Sequence, residues 1–146
     1  MSATGLDVFD KTIQTTNIWL DEIMAEMGPD RQIAWHILGA VLRTLRDRLP
    51  PDLAAHLGAQ LPLLVRGVYY DQYVPSATPD KIRSLDEFLS KIKDQMEFIR
   101  PIDSADALRV VCRVLTRHVD DGQMAKVWEA LPHEIRRVAE PQSERS

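Results

Sequence analysis

A helical run broken by a proline occurs twice in this chain, and that recurrence narrows the possible folds more than any other feature. Leu53 to Tyr69 reads LAAHLGAQLPLLVRGVY and Gln123 to Ala139 reads QMAKVWEALPHEIRRVA. At a constant offset of 70 the runs share Ala55/Ala125, Leu61/Leu131, Pro62/Pro132, Arg66/Arg136 and Val68/Val138. Each is apolar at helical spacing. Each also carries a proline, which has no amide hydrogen to donate and whose ring crowds the preceding turn. Two such runs call for short helices turned at matched points, hence two copies of one helical unit.

The rest of the chain supplies the other helices. Phe9, Ile13, Leu20, Ile23 and Met27 stripe a first helix over residues 6–27, stopped by Gly28-Pro29, with a bend expected at the poor helix formers Thr15-Thr16-Asn17. Asp30 caps a second helix, 31–48, whose stripe is Ala34, Leu38, Val41, Leu42, Leu45 and Leu49. Pro50-Pro51 ends it and opens a third, 51–60, striped by Leu53, Leu57 and Leu61. A fourth, 62–70, follows the break, with Leu64, Val65 and Val68 inward. Residues 71–83 carry two prolines and read as a connection with a short turn at Pro79. Ser84-Leu85-Asp86-Glu87 has the form of a capping box: the serine oxygen accepts from the Glu87 amide while the Glu87 carboxylate reaches back to the Ser84 amide. It opens a helix striped by Leu85, Phe88, Leu89, Ile92, Met96 and Ile99 that runs to Pro101. Asp103 or Ser104 caps the next, about 104–119, with Leu108, Val111, Cys112, Leu115 and Val119 on its stripe. Asp120-Asp121-Gly122 makes the turn into a helix of about 122–131 with Met124, Val127 and Leu131 inward. A last short helix after Pro132 carries Ile135 and Val138. The polar end from Pro141, 141–146, is expected to be a disordered tail.

Matched in this way, Trp19, Leu20, Ile23 and Met27 stand opposite Phe88, Leu89, Ile92 and Met96 at an offset of 69. Ala34, Leu38, Val41 and Leu42 stand opposite Ala107, Val111, Val114 and Leu115 at an offset of 73. The offset changes in the turns, where length is inexpensive. The expected fold is all-α: about eight helices in two pseudo-repeated four-helix halves, about 16–70 and 84–140. Together they make one domain over 6–140, with residues before Thr16 as an added N-terminal piece. The segments AVLRTLRDRLPPDLAAHLGAQLP (Ala40–Pro62), VLTRHVDDGQMAKVWEALPHEIR (Val114–Arg136) and VFDKTIQTTNIWLDEIMAEMGPDRQIAWH (Val8–His36) resemble the DUF2267 family of small bacterial helical proteins. The resemblance covers roughly residues 8 to 140. It implies a duplicated helical domain and carries over no catalytic residues.

Composition and spacing narrow the function by subtraction. With 146 residues, a net charge of -4 and a pI near 5.5, the chain has no global pull toward nucleic acid or anionic membrane. The N-terminal residues lack the basic and apolar regions of a signal peptide, and no apolar run approaches a transmembrane span. The single cysteine, Cys112, cannot form an internal disulfide, which suits a reducing, cytoplasmic setting. The histidines His36, His56, His118 and His133 include no pair three or four apart, so neither a metal nor another cofactor is expected. Glycine-rich phosphate loops, serine elbows and Walker-type lysines are absent, and no catalytic residue is assigned. Glu22 and Glu26 read as a solvated face and Cys112 as a buried hydrophobe.

Three groups remain as binding candidates. Tyr69, Tyr70 and Tyr73 cluster beside the connection, where the second half has Ala139, Glu140 and Pro141; tyrosines near a turn are favoured at recognition surfaces. Trp35 and His36 could line a groove. Arg109 and Arg113 lead a basic line continued by Arg117, with Asp86, Glu87 and Asp94 as candidate partners. The expectation is a non-enzymatic module that binds a protein partner or self-associates through the tyrosine surface. The alternative is a small-molecule or anion binder using a cleft between the halves, at Trp35, His36, Arg109 and Arg113. Membrane binding is not expected. Nucleic-acid binding is the weakest reading, since no aromatics interleave the arginines.

Overall fold

Prolines and side-chain caps divide the chain where the pattern required. A computed structural model describes residues 3–96 and 100–142. Among these the chain forms eight α-helices and no strand: α1 (Asp7–Met27), α2 (Arg31–Arg48), α3 (Pro51–Ala59), α4 (Leu63–Tyr70), α5 (Leu85–Gln95), α6 (Ser104–His118), α7 (Asp121–Ala130) and α8 (His133–Ala139). The fold is all-α. Asp30, Ser84, Asp103 and Asp120 each accept a backbone amide from the first turn of α2, α5, α6 and α7. Pro62 and Pro132 precede α4 and α8 in nearly the same conformation, with φ -56°, ψ 150° and φ -55°, ψ 149°. Among the described residues no helix is long and apolar enough to cross a membrane.

The core is built around α2 and α6, which pack on each other. Ile37, Leu38, Val41, Leu42 and Leu45 from α2 are wholly buried with Leu108, Val111, Cys112 and Leu115 from α6. Burying each such aliphatic side chain contributes about 1.5–3 kcal/mol. Around this pair α1 packs on α2, α4 and α6, while α5 packs on α6, α8 and α2. The partners of α1 become those of α5 when α2 is exchanged with α6 and α4 with α8. Likewise α2–α4 answers to α6–α8 and α3–α4 to α7–α8, and α3 packs on α7. Helices from the two ends of the chain therefore interleave rather than forming two separate bundles. The α2–α6 contact is lined by these buried apolar side chains.

Several expectations change. The threonines do not bend α1, which runs unbroken through Thr15-Thr16-Asn17. Phe9 (47% exposed), Ile13 (40%) and Leu64 (45%) face solvent rather than the core. Helical spacing identifies an apolar stripe but not whether another element covers it; here the first two turns of α1 extend past the core. Within the capping box, Glu87 Oε1 accepts from the Ser84 hydroxyl at 3.0 Å instead of reaching the Ser84 amide. The fifth helix stops at Gln95; Ile99 and the tail residues beyond Gln142 lie outside the described residues.

Candidate functional site

The three tyrosines are turned into the fold. Tyr69, spaced four residues after Val65 on α4, is wholly buried and donates its hydroxyl to Ala54 O at 2.7 Å. Burial pushes its ionisation well above the ordinary tyrosine range, with Tyr70 adding to the effect. Tyr70 is half-buried, its ring packed where α3 has only a glycine: a Cβ on Gly58 would collide with the Tyr70 hydroxyl. Tyr73 is also half-buried, 4.8 Å beneath the Arg46 guanidinium, and its buried hydroxyl has no protein partner.

Arg46 is the residue the sequence reading passed over. It is 3% exposed on α2, and its Nη1 donates to Tyr69 O at 2.7 Å and Asp71 O at 2.8 Å. It thus satisfies carbonyls at the end of α4, which have no helical partner of their own. Its Nη2 lies 2.8 Å from Asp47. Lys91 bridges Asp47 (3.0 Å) and Asp80 (3.1 Å), and Arg48 donates to Ile82 O at 2.6 Å. These contacts hold residues 71–83 against α2. The available signal was position: Arg46 follows Leu42 by four residues and so lies on the apolar stripe.

The basic line on α6 is neutralised within the fold, though not by the expected acids. Arg113 pairs with Glu26, Arg117 with Glu22 at 2.9 Å, and Arg109 with Asp106 at 2.5 Å. Two antiparallel helices with charges four apart form rungs, so half-buried Glu22 and exposed Glu26 meet their arginines on a face that solvent still reaches. Arg109 and Arg113 line a cleft of about 430 Å³ with Arg137 and residues 138–142. Trp35, half-buried against the core, and His36, exposed, line neither this cleft nor those described below. None of these three clefts gathers the four residues of the alternative site. Cys112 is wholly buried, and burial alone pushes its thiol far above the ordinary range, suppressing the reactive thiolate. Among the described residues no group of three or more His, Cys, Asp or Glu is placed to hold a metal.

A different place gathers polar and apolar groups. A cleft of about 450 Å³ opens between the N-terminal half of α1, the α3–α4 turn and the end of α6. Val8, Lys11, Thr12, Thr15 and Trp19 enter it from α1, at spacings that keep them on one side of the helix. The proline-broken turn supplies Ala59–Leu63, α4 supplies Arg66, and α6 supplies His118. Thr12 Oγ1 fixes the two walls by accepting from the Leu64 amide at 3.2 Å. Trp19 is 1% exposed and stacks on His118 with ring centroids 5.3 Å apart. Among the described residues no acceptor reaches the Trp19 indole N–H or the nearby Thr16 hydroxyl proton, and both atoms are buried. Buried tryptophan N–H groups usually have one. His118 Nε2 lies 2.8 Å from Glu22 Oε2. A further cleft of about 390 Å³, lined by His133, Arg136, Arg137, Glu140, Pro141 and Gln142, adjoins the chain end.

The sequence profile of the family described as "Uncharacterized conserved protein (DUF2267)" matches residues 16–138, and the chain belongs to that family. The match begins at Thr16, leaving Val8, Lys11, Thr12 and Thr15 of the cleft ahead of it. No curated protein matches the chain.

Proposed function

We propose that this DUF2267 member is a non-enzymatic binding module, built on a duplicated helical unit, that takes a small ligand in the cleft beside Trp19. The observation that carries the reading is the open, mixed-polarity cleft with an unpartnered indole N–H among its lining residues. Ligand sites are typically concave, largely apolar and furnished with a few polar groups. The matching packing of α1–α4 and α5–α8 supports the duplicated-unit reading. Titration of a fragment set into isotope-labelled protein tests the function directly. Shifts concentrated on the Trp19 indole and the Lys11, Gln60 and His118 amides would support it; no cluster at these residues would end it.

A second reading, docking of a protein partner or a second copy, is favoured by exposed apolar groups on the same flank. Leu6, Phe9 and Ile13 face solvent on or beside α1, with Leu64 adjoining on α4. On this reading the working surface moves from the tyrosines to α1. Sedimentation velocity of the chain and of Phe9→Asp/Ile13→Asp decides the self-association form: a dimer lost in the double variant supports it, and a monomer at every concentration rejects it.

A further inference from the structure

We infer that the ligand of this cleft is a small organic acid, an anionic head on an apolar body. The inference rests on the small-ligand reading above and adds the chemical class. The chain carries a net charge of -4, yet no Asp or Glu lines the cleft, while Lys11, Arg66 and His118 do. Among the described residues no acid forms an ion pair with Lys11. Arg66 spends its Nε and Nη2 on the carbonyls of Gly58, Ala59 and Leu61, at 3.0–3.2 Å, and has no carboxylate partner among the described residues.

The second copy of the broken helix shows what compensation would look like. Arg136, the counterpart of Arg66 at an offset of 70, is paired with Glu140 at 2.7 Å. At the position of Glu140 the first copy has Tyr70, so the partner that would neutralise Arg66 is missing. Two cations from different helices thus border the cleft without acids of their own. Val8, Leu61 and Leu63 provide apolar lining for the rest of a ligand. Inorganic anions would use the cations and leave these side chains uncovered; a neutral apolar molecule would do the reverse.

Three probes separate these cases: anilinonaphthalene sulfonate, the uncharged phenylnaphthylamine with the same ring body, and inorganic sulfate. The expected order is the sulfonate about tenfold tighter than its neutral analogue, since two exposed charge contacts each contribute a few-fold. Sulfate should be weaker than both. Lys11→Gln should weaken the sulfonate about three- to fivefold and leave the neutral probe unchanged. Leu63→Glu, at a half-exposed position, should weaken both probes about tenfold or more while the far-UV spectrum is retained. Equal affinities for the charged and neutral probes, both lost in Leu63→Glu, would overturn the organic-acid assignment and leave the cleft as a binding site. Sulfate binding as tightly as the sulfonate would also overturn it. Probe binding indifferent to Leu63→Glu would remove the cleft reading itself.

Discussion

From Leu61 to Tyr70 and from Leu131 to Glu140, burial follows the same order residue for residue. Leu61/Leu131, Val65/Ile135 and Tyr69/Ala139 are buried, and Leu63-Leu64 and His133-Glu134 are exposed. The backbone break and the inward positions are held in common, while the chemistry placed on them differs. Where α3 has Gly58 and α4 has Tyr70, α7 has Trp128 and α8 is followed by Glu140: the large ring comes from the second helix in one run and the first in the other. Leu64 offers its amide to Thr12, in the added turns of α1, whereas Glu134 uses its carboxylate to accept from the Leu85 amide at the start of α5. The two matched runs therefore meet different partners, a carboxylate cap at α5 and an extra stretch of helix at α1. That stretch forms one wall of the cleft.

The largest test of this contrast is Tyr69, which occupies the position held by Ala139. Tyr69→Ala should lower stability by about 3–5 kcal/mol in urea unfolding, because the ring leaves a cavity in a filled core. Tyr69→Phe should cost only about 1 kcal/mol, the net worth of the hydroxyl's hydrogen bond to Ala54. Comparable losses in the two variants would mean that the ring is not what fills this copy. Next is Arg46, whose counterpart at an offset of 73 is the buried Val119. Arg46→Val should cost about 3 kcal/mol, since it strands the carbonyls of Tyr69 and Asp71. A smaller loss would show that water satisfies those carbonyls as well as the guanidinium does.

Arg46 also marks where sequence reasoning stops. The helices, their caps at Asp30 and Asp103, and the proline breaks were legible because each depends on local backbone chemistry. So was the inward stripe of α2 and α6, whose period alone fixes the face. Phe9, Ile13 and Leu64 went astray because an apolar stripe is read without knowing where its cover ends. The pairing of Glu22 and Glu26 was not legible because the antiparallel neighbour that supplies Arg113 and Arg117 is remote in sequence. The cleft was not legible at all. It joins residues 8–19, 59–66 and 118, and no two of these groups are adjacent in the chain.

The exchange of ring positions gives a smaller and more local test. Gly58→Ala adds a Cβ that would meet the Tyr70 hydroxyl and ring, with Cζ at 2.8 Å. Overpacking of this kind costs about 1–3 kcal/mol, against a gain of up to about 1 kcal/mol in helix propensity. The net expectation is a loss of about 1–2 kcal/mol. In a Tyr70→Ala background the same substitution should be neutral or stabilising, because the obstructing ring is gone. Additivity between the two substitutions would refute the reciprocal packing.

The smallest expected effect on stability carries the largest functional consequence. Leu63→His with Leu64→Glu gives the first copy the surface of the second, at positions about half exposed in both. Such surface changes should leave the unfolding free energy within about 0.5 kcal/mol. The fold should not register them, since Val65 and Tyr69 still fill the core and Thr12 bonds the backbone amide rather than the side chain of residue 64. The cleft should, because Leu63 lines it and a new carboxylate beside Thr12 sets a negative charge near the cations that attract an acid. Loss of sulfonate binding with stability unchanged would divide the molecule as the comparison does, with a shared template for folding and the departures from it for binding. Binding that survives the exchange would mean the template itself carries the ligand, in which case the second copy should bind as well.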